Sequence, residues 1–244
     1  MLKIDAFSLD YRLLNEKLRE LANRGCSEIS VRNICGQRYI GAGFDFRNLR
    51  ICLHGIPGND LGVFMNGTEI VVYGNVQDGT GNTMNSGRII VHGDAGDITG
   101  YSMRGGEIFI KGDAGYRTGI HMKEYKQMYP SIIVGGSAGS FLGEYMAGGI
   151  VIILNLRDEK CAIGNFAGTG MHGGAIYVRG EISEVILGEE VRVFDVKEDE
   201  YKEIVPYLER FAVFFGGDIK KICKSVFQKI VPITHRPYGK IYSY

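Results

Sequence analysis

The residues of this chain whose types could support chemistry recur at one interval. Asp94 and Asp113 lie 19 positions apart, and so do Asp78 and Asp97. If one structural unit fills that interval, each pair stacks on a single flank. Paired acids in that arrangement could cleave a glycosidic bond, one acting as proton donor and the other as base or nucleophile. They could also hold a cation through oxygen ligands. Asp equally suits turns, because its side chain bonds nearby backbone, and Gly-Asp-Ala-Gly stands at 93–96 and again at 112–115. The turn reading therefore outweighs the active-site reading.

His54 and His92 are two such intervals apart (92−54 = 38), with Tyr73 midway. Stacked strands would separate the two rings by about 9.6 Å. That is too far for one zinc to bind both at about 2.0–2.1 Å, so they are expected to be solvated flank residues. His121 and His172 fall in different columns and lack a Cys or carboxylate at ligand spacing. The five cysteines (Cys26, Cys35, Cys52, Cys161, Cys223) contain no Cys-x-x-Cys. Neither a zinc knuckle nor an iron–sulfur signature is written here, and a reduced, cytoplasmic setting is expected. Gly168–Gly173 fits Gly-x-Gly-x-x-Gly, but a dinucleotide fingerprint needs a helix after it. Here Ala175-Ile176-Tyr177-Val178 reads as a strand.

The elements that must position these residues are set by three columns in phase. Gly55, Gly74, Gly93 and Gly112 recur every 19 residues. A second glycine column, Gly62, Gly81, Gly100, Gly119, Gly143 and Gly168, runs three positions ahead of Met65, Met84, Met103, Met122, Met146 and Met171. Two insertions, in 123–130 and 156–163, lengthen individual repeats without disturbing the columns. A fixed period near 20 residues marks a solenoid. Each repeat carries a four-residue β-branched run such as Ile70-Val71-Val72-Tyr73 or Ile89-Ile90-Val91-His92, closed by Gly. These runs read as strands, and no helix fits between the glycines. The expected fold is all-β: a single-stranded, right-handed parallel β-helix of seven to eight rungs, since parallel crossovers are overwhelmingly right-handed. Its methionines form an internal ladder and its glycines form corners. The segment 31–43 reads as a worn first rung lacking the Met.

One domain of 244 residues is expected, with a capping helix at 8–25, the β-helix at 26–188 and a mixed cap and tail at 189–244. Tyr11, Leu14, Leu18 and Leu21 form the apolar face of the helix, and Ser8 or Asp10 would cap it. A second helical pattern over 198–215 should break at Pro206. Lysine plus arginine equal aspartate plus glutamate at 28 each, so no nucleic-acid or membrane partner is indicated by charge. No apolar run approaches the length of a membrane span. Arg104, Arg117, His121, Glu144, Tyr145 and His172 stand where the rungs are richest in glycine, and form a candidate partner surface on a rigid flank.

The stretches Gly-Asn-Val-Gln-Asp-Gly-Thr-Gly-Asn-Thr-Met (74–84), Gly-Tyr-Ser-Met-Arg-Gly-Gly (100–106), 115–125 and 143–149 resemble the C-terminal GXGXG domain of the glutamate synthase large (alpha) subunit. The likeness runs nearly end to end and includes Arg236-Pro237-Tyr238-Gly239. In its length the chain resembles the stand-alone, split form. The same repeat family includes a scaffold subunit of formylmethanofuran dehydrogenase. The resemblance implies a structural subunit that positions a glutaminase and an FMN and iron–sulfur synthase for ammonia channelling, in a cytoplasmic oxidoreductase complex of glutamate biosynthesis. It implies no cofactor or catalytic residue on this chain. FMN, a 3Fe-4S cluster and NADPH would belong to partner subunits, and self-association is left open. The first residues, Met1-Leu2-Lys3, place no Cys at position 2 where the family's glutaminase nucleophile stands. The rival readings are a formylmethanofuran dehydrogenase scaffold and a polysaccharide-acting β-helix enzyme using Asp94 and Asp113.

Overall fold

The computed structural model describes residues 2–233, so the Arg236-Pro237-Tyr238-Gly239 tail lies outside the described residues. The chain forms one sheet of 11 strands closed by helical caps. In chain order the elements are β1 (Leu2–Asp5), α1 (Tyr11–Asn23), β2 (Glu28–Cys35), β3 (Arg50–Ile56), β4 (Asn66–Tyr73), β5 (Ser86–Val91), β6 (Gly106–Ile110), β7 (Pro130–Val134), β8 (Ala147–Ile153) and β9 (Gly173–Arg179). After them come β10 (Val191–Asp195), α2 (Tyr201–Phe215), α3 (Ile219–Cys223) and β11 (Phe227–Pro232). Strands β1 to β9 pair in parallel, each with the next. The register repeats the sequence period: Arg50 sits beside Glu69, Arg88 beside Glu107, and the offset grows to 24 at Glu107 and Ser131. The fold is thus an all-β solenoid, as the columns imply.

Alternation along each strand explains why the columns stack. Ile51, Ile70, Ile89, Ile108 and Ile132 point inward and are fully buried, as are Leu53, Val72, Val91, Ile110 and Val134. The six methionines Met65, Met84, Met103, Met122, Met146 and Met171 are also fully buried. Phe44, likewise fully buried, takes the equivalent place in the first turn, three positions after Gly41. A second line of parallel contacts joins Val76, Ala95, Ala114, Ala138 and Ile163 on the opposite wall.

The corner before each methionine has an unusual backbone. Three alternate residues per turn are left-handed, for example Ile98 (φ 50°), Gly100 (72°) and Ser102 (51°), then Arg117 (57°), Gly119 (74°) and His121 (53°). The N–H groups of these residues alternate in direction. Ile98 and Ser102 donate to Tyr116 and Ile120 of the following turn, whereas Gly100 donates to Thr80 of the preceding one. Two i→i+3 bonds, Tyr101 to Ile98 and Met103 to Gly100, complete the bend. The middle residue must be glycine in every turn, because an added Cβ would meet the inward side chain of the second strand along the chain. Gly62 would meet Ile89 at 2.8 Å, Gly143 would meet Ile176 at 2.6 Å, and Gly100 faces Ile132.

At the ends the structure decides between alternatives and corrects others. Helix α1 starts from Asp10, one of the two expected caps, whose side chain accepts the Leu13 N–H at 2.8 Å. It covers the first turn through Leu14, Leu18 and Ala22, with Arg19 donating to the Ala42 carbonyl at 2.9 Å. The short strand β1 precedes it and extends the sheet beyond the first rung. Pro206 lies inside α2 without breaking it, because the helix is held along its length by packing on the sheet. The last strands are antiparallel: β11 returns along the chain to lie between β9 and β10. Among the described residues no helix is long and apolar enough to cross a membrane.

The corner yields a paired prediction. Gly100→Ala should destabilise the protein by roughly 2–3 kcal/mol, combining left-handed strain with overpacking against Ile132. Ser102→Gly, two residues on, should be neutral or stabilising by up to about 1 kcal/mol. Urea unfolding of both variants checks this; equal losses at the two positions would contradict the account.

Candidate functional site

The stacked carboxylates are placed by the Gly-Asp-Ala-Gly turns on the wall opposite the main sheet. Asp94 accepts the backbone N–H of Asp113 at 2.9 Å, one turn on. Asp113 in turn accepts the Ser137 N–H at 2.7 Å and the Ser137 hydroxyl at 3.1 Å, and pairs with Arg157. Asp78 and Asp97 repeat the pattern, receiving the N–H groups of Asp97 and Tyr116 at 2.9 and 2.8 Å. Burial pushes the Asp113 carboxyl up, but the bonds from Ser137 and Arg157 prevail and hold it below the usual carboxylate range. A general acid requires the opposite shift. These columns satisfy backbone between turns.

Sequence reasoning missed a charge ladder on the main sheet. Glu28, Arg50, Glu69, Arg88 and Glu107 occupy one register column with alternating sign. Arg50 meets Glu69 at 2.8 Å, and Arg88 bridges Glu69 at 3.3 Å and Glu107 at 2.6 Å. Arg210 of α2 closes the ladder on Glu107 at 2.7 Å. The signal was available, since each charge immediately precedes the apolar run of its repeat.

His54 and His92 are not simply solvated flank residues, as the spacing suggested. Their rings sandwich Tyr73 at centroid distances of 4.8 and 4.9 Å, and Phe215 at the end of α2 meets His92 edge-on at 5.1 Å. The helix covers the half-buried His92 because Phe214 and Phe215 pack over Cys52, Val71 and Ile90. Burial lowers the His92 pKa, and the Lys111 ammonium lowers it further.

The corner column gathers most of the candidate partner residues. His121 and Tyr145, both left-handed and exposed, stack at 5.2 Å, and Tyr101 approaches His121 edge-on at 5.9 Å. Lys123 and His172 lie beside them, and together they line an open groove of about 320 Å³. His172 Nδ1 lies 3.1 Å from the Gly170 carbonyl, which can only accept, so that nitrogen carries the proton. His121 and His172, in separate sequence columns, are thus brought to one groove. Arg117 and Glu144 pair with each other at 2.9 Å, with Arg117 lying over the Phe141 ring at 4.6 Å. Arg104 precedes Lys123 by one turn in the same column, and its Nε is buried without a partner. Among the described residues no group of three or more His, Cys, Asp or Glu could hold a metal ion.

A family model described as the GXGXG motif matches residues 20–234. A relative named "Uncharacterized protein MJ1350", from Methanocaldococcus jannaschii, is 48% identical over 249 residues, covering 98% of this chain and 95% of the relative. A chain of the formyltransferase/hydrolase complex (FhcABCD) from Methylorubrum extorquens, solved with methylofuran, aligns with a TM-score of 0.65 at 18% identity and 96% coverage of both chains. At that identity the likeness concerns the fold.

The His92 environment predicts a pH dependence. A histidine held neutral in the fold is protonated first in the unfolded chain, so stability should fall as pH drops below about 6.5 and level off below the folded-state pKa. His92→Gln should flatten this part of the profile. Thermal unfolding of both proteins between pH 7.5 and 5, compared as a difference, checks it; a His92→Gln profile parallel to wild type would refute the assignment.

Proposed function

The chain belongs to the GXGXG motif family, and from that premise we propose that it is a non-catalytic scaffold subunit of a multi-subunit enzyme assembly. The observation that carries this reading is the fate of the stacked acids. The groups best suited to chemistry, Asp94 and Asp113, each turn Oδ1 to the backbone of the next turn, and Asp113 pairs through the same oxygen with Arg157. They hold a wall together, and the polysaccharide-acting reading has no free acid pair there. The wall itself is stiff, with ladders on two sides and a left-handed corner on the third.

Within that reading, the assembly is of the glutamate synthase type. The chain braces a glutaminase against an FMN and iron–sulfur synthase, keeps the ammonia path between them aligned, and leaves FMN, the 3Fe-4S cluster and NADPH to those partners in a cytoplasmic complex. The support is the sequence likeness of the repeats at 74–84, 100–106 and 143–149. A second reading keeps the scaffold and changes the partners to a formyl-transferring complex. It is favoured by the fold likeness to a chain of the Methylorubrum assembly, which extends over 96% of each chain.

The purified chain should show neither glutamine hydrolysis nor glutamate formation; turnover that disappears in Asp113→Asn would overturn the scaffold reading. Reconstitution with a glutaminase and an FMN-binding synthase separates the two assemblies. Omitting this chain should lower glutamine-dependent glutamate formation at least tenfold while sparing the ammonia-dependent rate. A formyl-transfer complex that assembles only with this chain, with no such effect in the glutamate system, would select the second reading.

A further inference from the structure

The two ends of the sheet are finished differently. At the first turn α1 lies over the core through Leu14, Leu18 and Ala22. At the other end the last strand is β10, which among the described residues pairs with β11 alone. The insertion of β11 sets β10 two strand spacings, about 9.6 Å, beyond β9. Helix α2 leads away from this end and packs back over β9 to β5. The outer edge of β10 therefore protrudes. Its backbone direction follows from the bonds at its two ends. The Ile233 N–H donates to the Glu190 carbonyl at 2.9 Å, and the Val196 N–H donates to the Phe227 carbonyl at 3.0 Å. Bonded and non-bonded residues alternate along an antiparallel pair, so even-numbered positions serve β11. Val191, Val193 and Asp195 aim their N–H and C=O groups outward. The Val191 carbonyl accepts from the Arg192 guanidinium at 2.7 Å and can accept once more. Such a row is a template for a further strand. Apolar side chains of the last turn accompany it: Val185 is 93% exposed, Phe194 54% and Ile233 49%.

Charge selects the strand that fits. Two copies of β10 laid antiparallel about a two-fold axis can bond only where odd-numbered residues oppose each other, with the axis at Arg192, Val193 or Phe194. An axis at Arg192 sets that cation against itself and Glu189 against Asp195. An axis at Phe194 sets Glu189 against Asp199 and Glu190 against Glu198. Like charges directly opposite are destabilising. An axis at Val193 sets Glu189 against Lys197, twice by symmetry, and Arg192 against the Phe194 ring of the other copy. The first contact is an opposite-charge pair and the second a cation over an aromatic face. Glu189, Arg192, Phe194 and Lys197 are all exposed. Among the described residues none of the three charges enters an ion pair.

We propose that β10 is a self-association edge: a second copy of this chain adds its own β10 antiparallel, with Val193 on the two-fold axis, so that one sheet runs through both copies. Val193 exchanges backbone bonds with Val193 of the second copy, and Val191 does so with Asp195 of the second copy. The contact is isologous and uses up both edges, so it closes at a dimer and does not propagate into a filament. It leaves the walls and corner of each solenoid open to other partners and does not depend on what those partners are.

Sedimentation equilibrium of the whole chain between 5 and 100 µM reads the association directly. At the upper end the mass should be twice the 27.0 kDa of one chain. Val193→Pro removes the central donor, which β11 does not use, and proline is tolerated in edge strands. That variant should keep the wild-type far-UV spectrum and sediment as a monomer. Glu189→Lys and Lys197→Glu, both at exposed positions, should each weaken association at least tenfold. An equimolar mixture of these two should recover it to within threefold, because the mixed dimer restores an opposite-charge pair at both ends. The mixing result stands even if Val193→Pro fails to fold. A wild-type monomer at 100 µM, a folded Val193→Pro that dimerises as the wild type does, or a mixture no tighter than either variant alone would each overturn the proposal. The reconstitution assay does not read this edge, so the scaffold reading and the dimer fail separately.

Discussion

The structure depends on one steric agreement repeated along its axis. At each bend the chain turns left-handed, and the space a side chain would occupy there is taken by an isoleucine or valine from the second strand further on. The contact couples non-adjacent turns. It therefore fixes the strand register as well as the bend, because a one-residue slip would place a polar side chain into the corner. The alternation of N–H direction at the same corner bonds each turn to both neighbours, so few backbone groups are left to solvent. Fully buried Thr80, Thr99 and Thr118 sit just before the glycines and satisfy their hydroxyls on the carbonyl three residues back.

A wall built this way leaves the outer face of its main sheet apolar in the later turns, and α2 is the answer to that exposure. Fifteen residues of helix span about 22 Å, enough to cover four strand intervals of about 4.8 Å each. Its ends accordingly reach Tyr177 of β9, which donates to Glu203 at 2.6 Å, and the Ile90 and His92 region of β5. Ile204, Leu208 and Phe211 are buried on Phe109, Ile133 and Ile152. The alternating Glu and Arg ladder runs beside this contact and ends on the helix at Arg210. Partly exposed pairs of this kind contribute little individually, but a shared ladder fixes where the helix lies along the wall.

The same repetition decides what the polar columns can do. A carboxylate at a turn is within reach of the next turn's N–H because the turns are identical, so stacking brings the acids together and also gives them a backbone partner. At the left-handed corner the outer positions point away from the core and have no such partner. Side chains there, from Ile98 and Arg117 to His121 and Tyr145, are free to vary from turn to turn. Repetition thus builds the wall and variation at the corner individualises it, which is how a solenoid comes to carry a distinct surface on each flank.

By itself the sequence determined the solenoid, its 19-residue step, the buried methionines and the obligatory glycines, because each is a local demand repeated in phase: β-branched runs, positive φ, and a flexible filler. It also contained the charge ladder, one residue ahead of the apolar run in each strand from β2 to β6. Only the tertiary structure decided how far α2 continues past Pro206, since sheet packing offsets the lost backbone bond, and that β11 inserts antiparallel beside β9. It alone set Phe215 of α2 edge-on to His92 and brought His121 and His172 to one groove. These contacts join residues from different columns or from outside the repeat, and no periodicity within a chain records the side-by-side placement of columns that the closing of each turn creates.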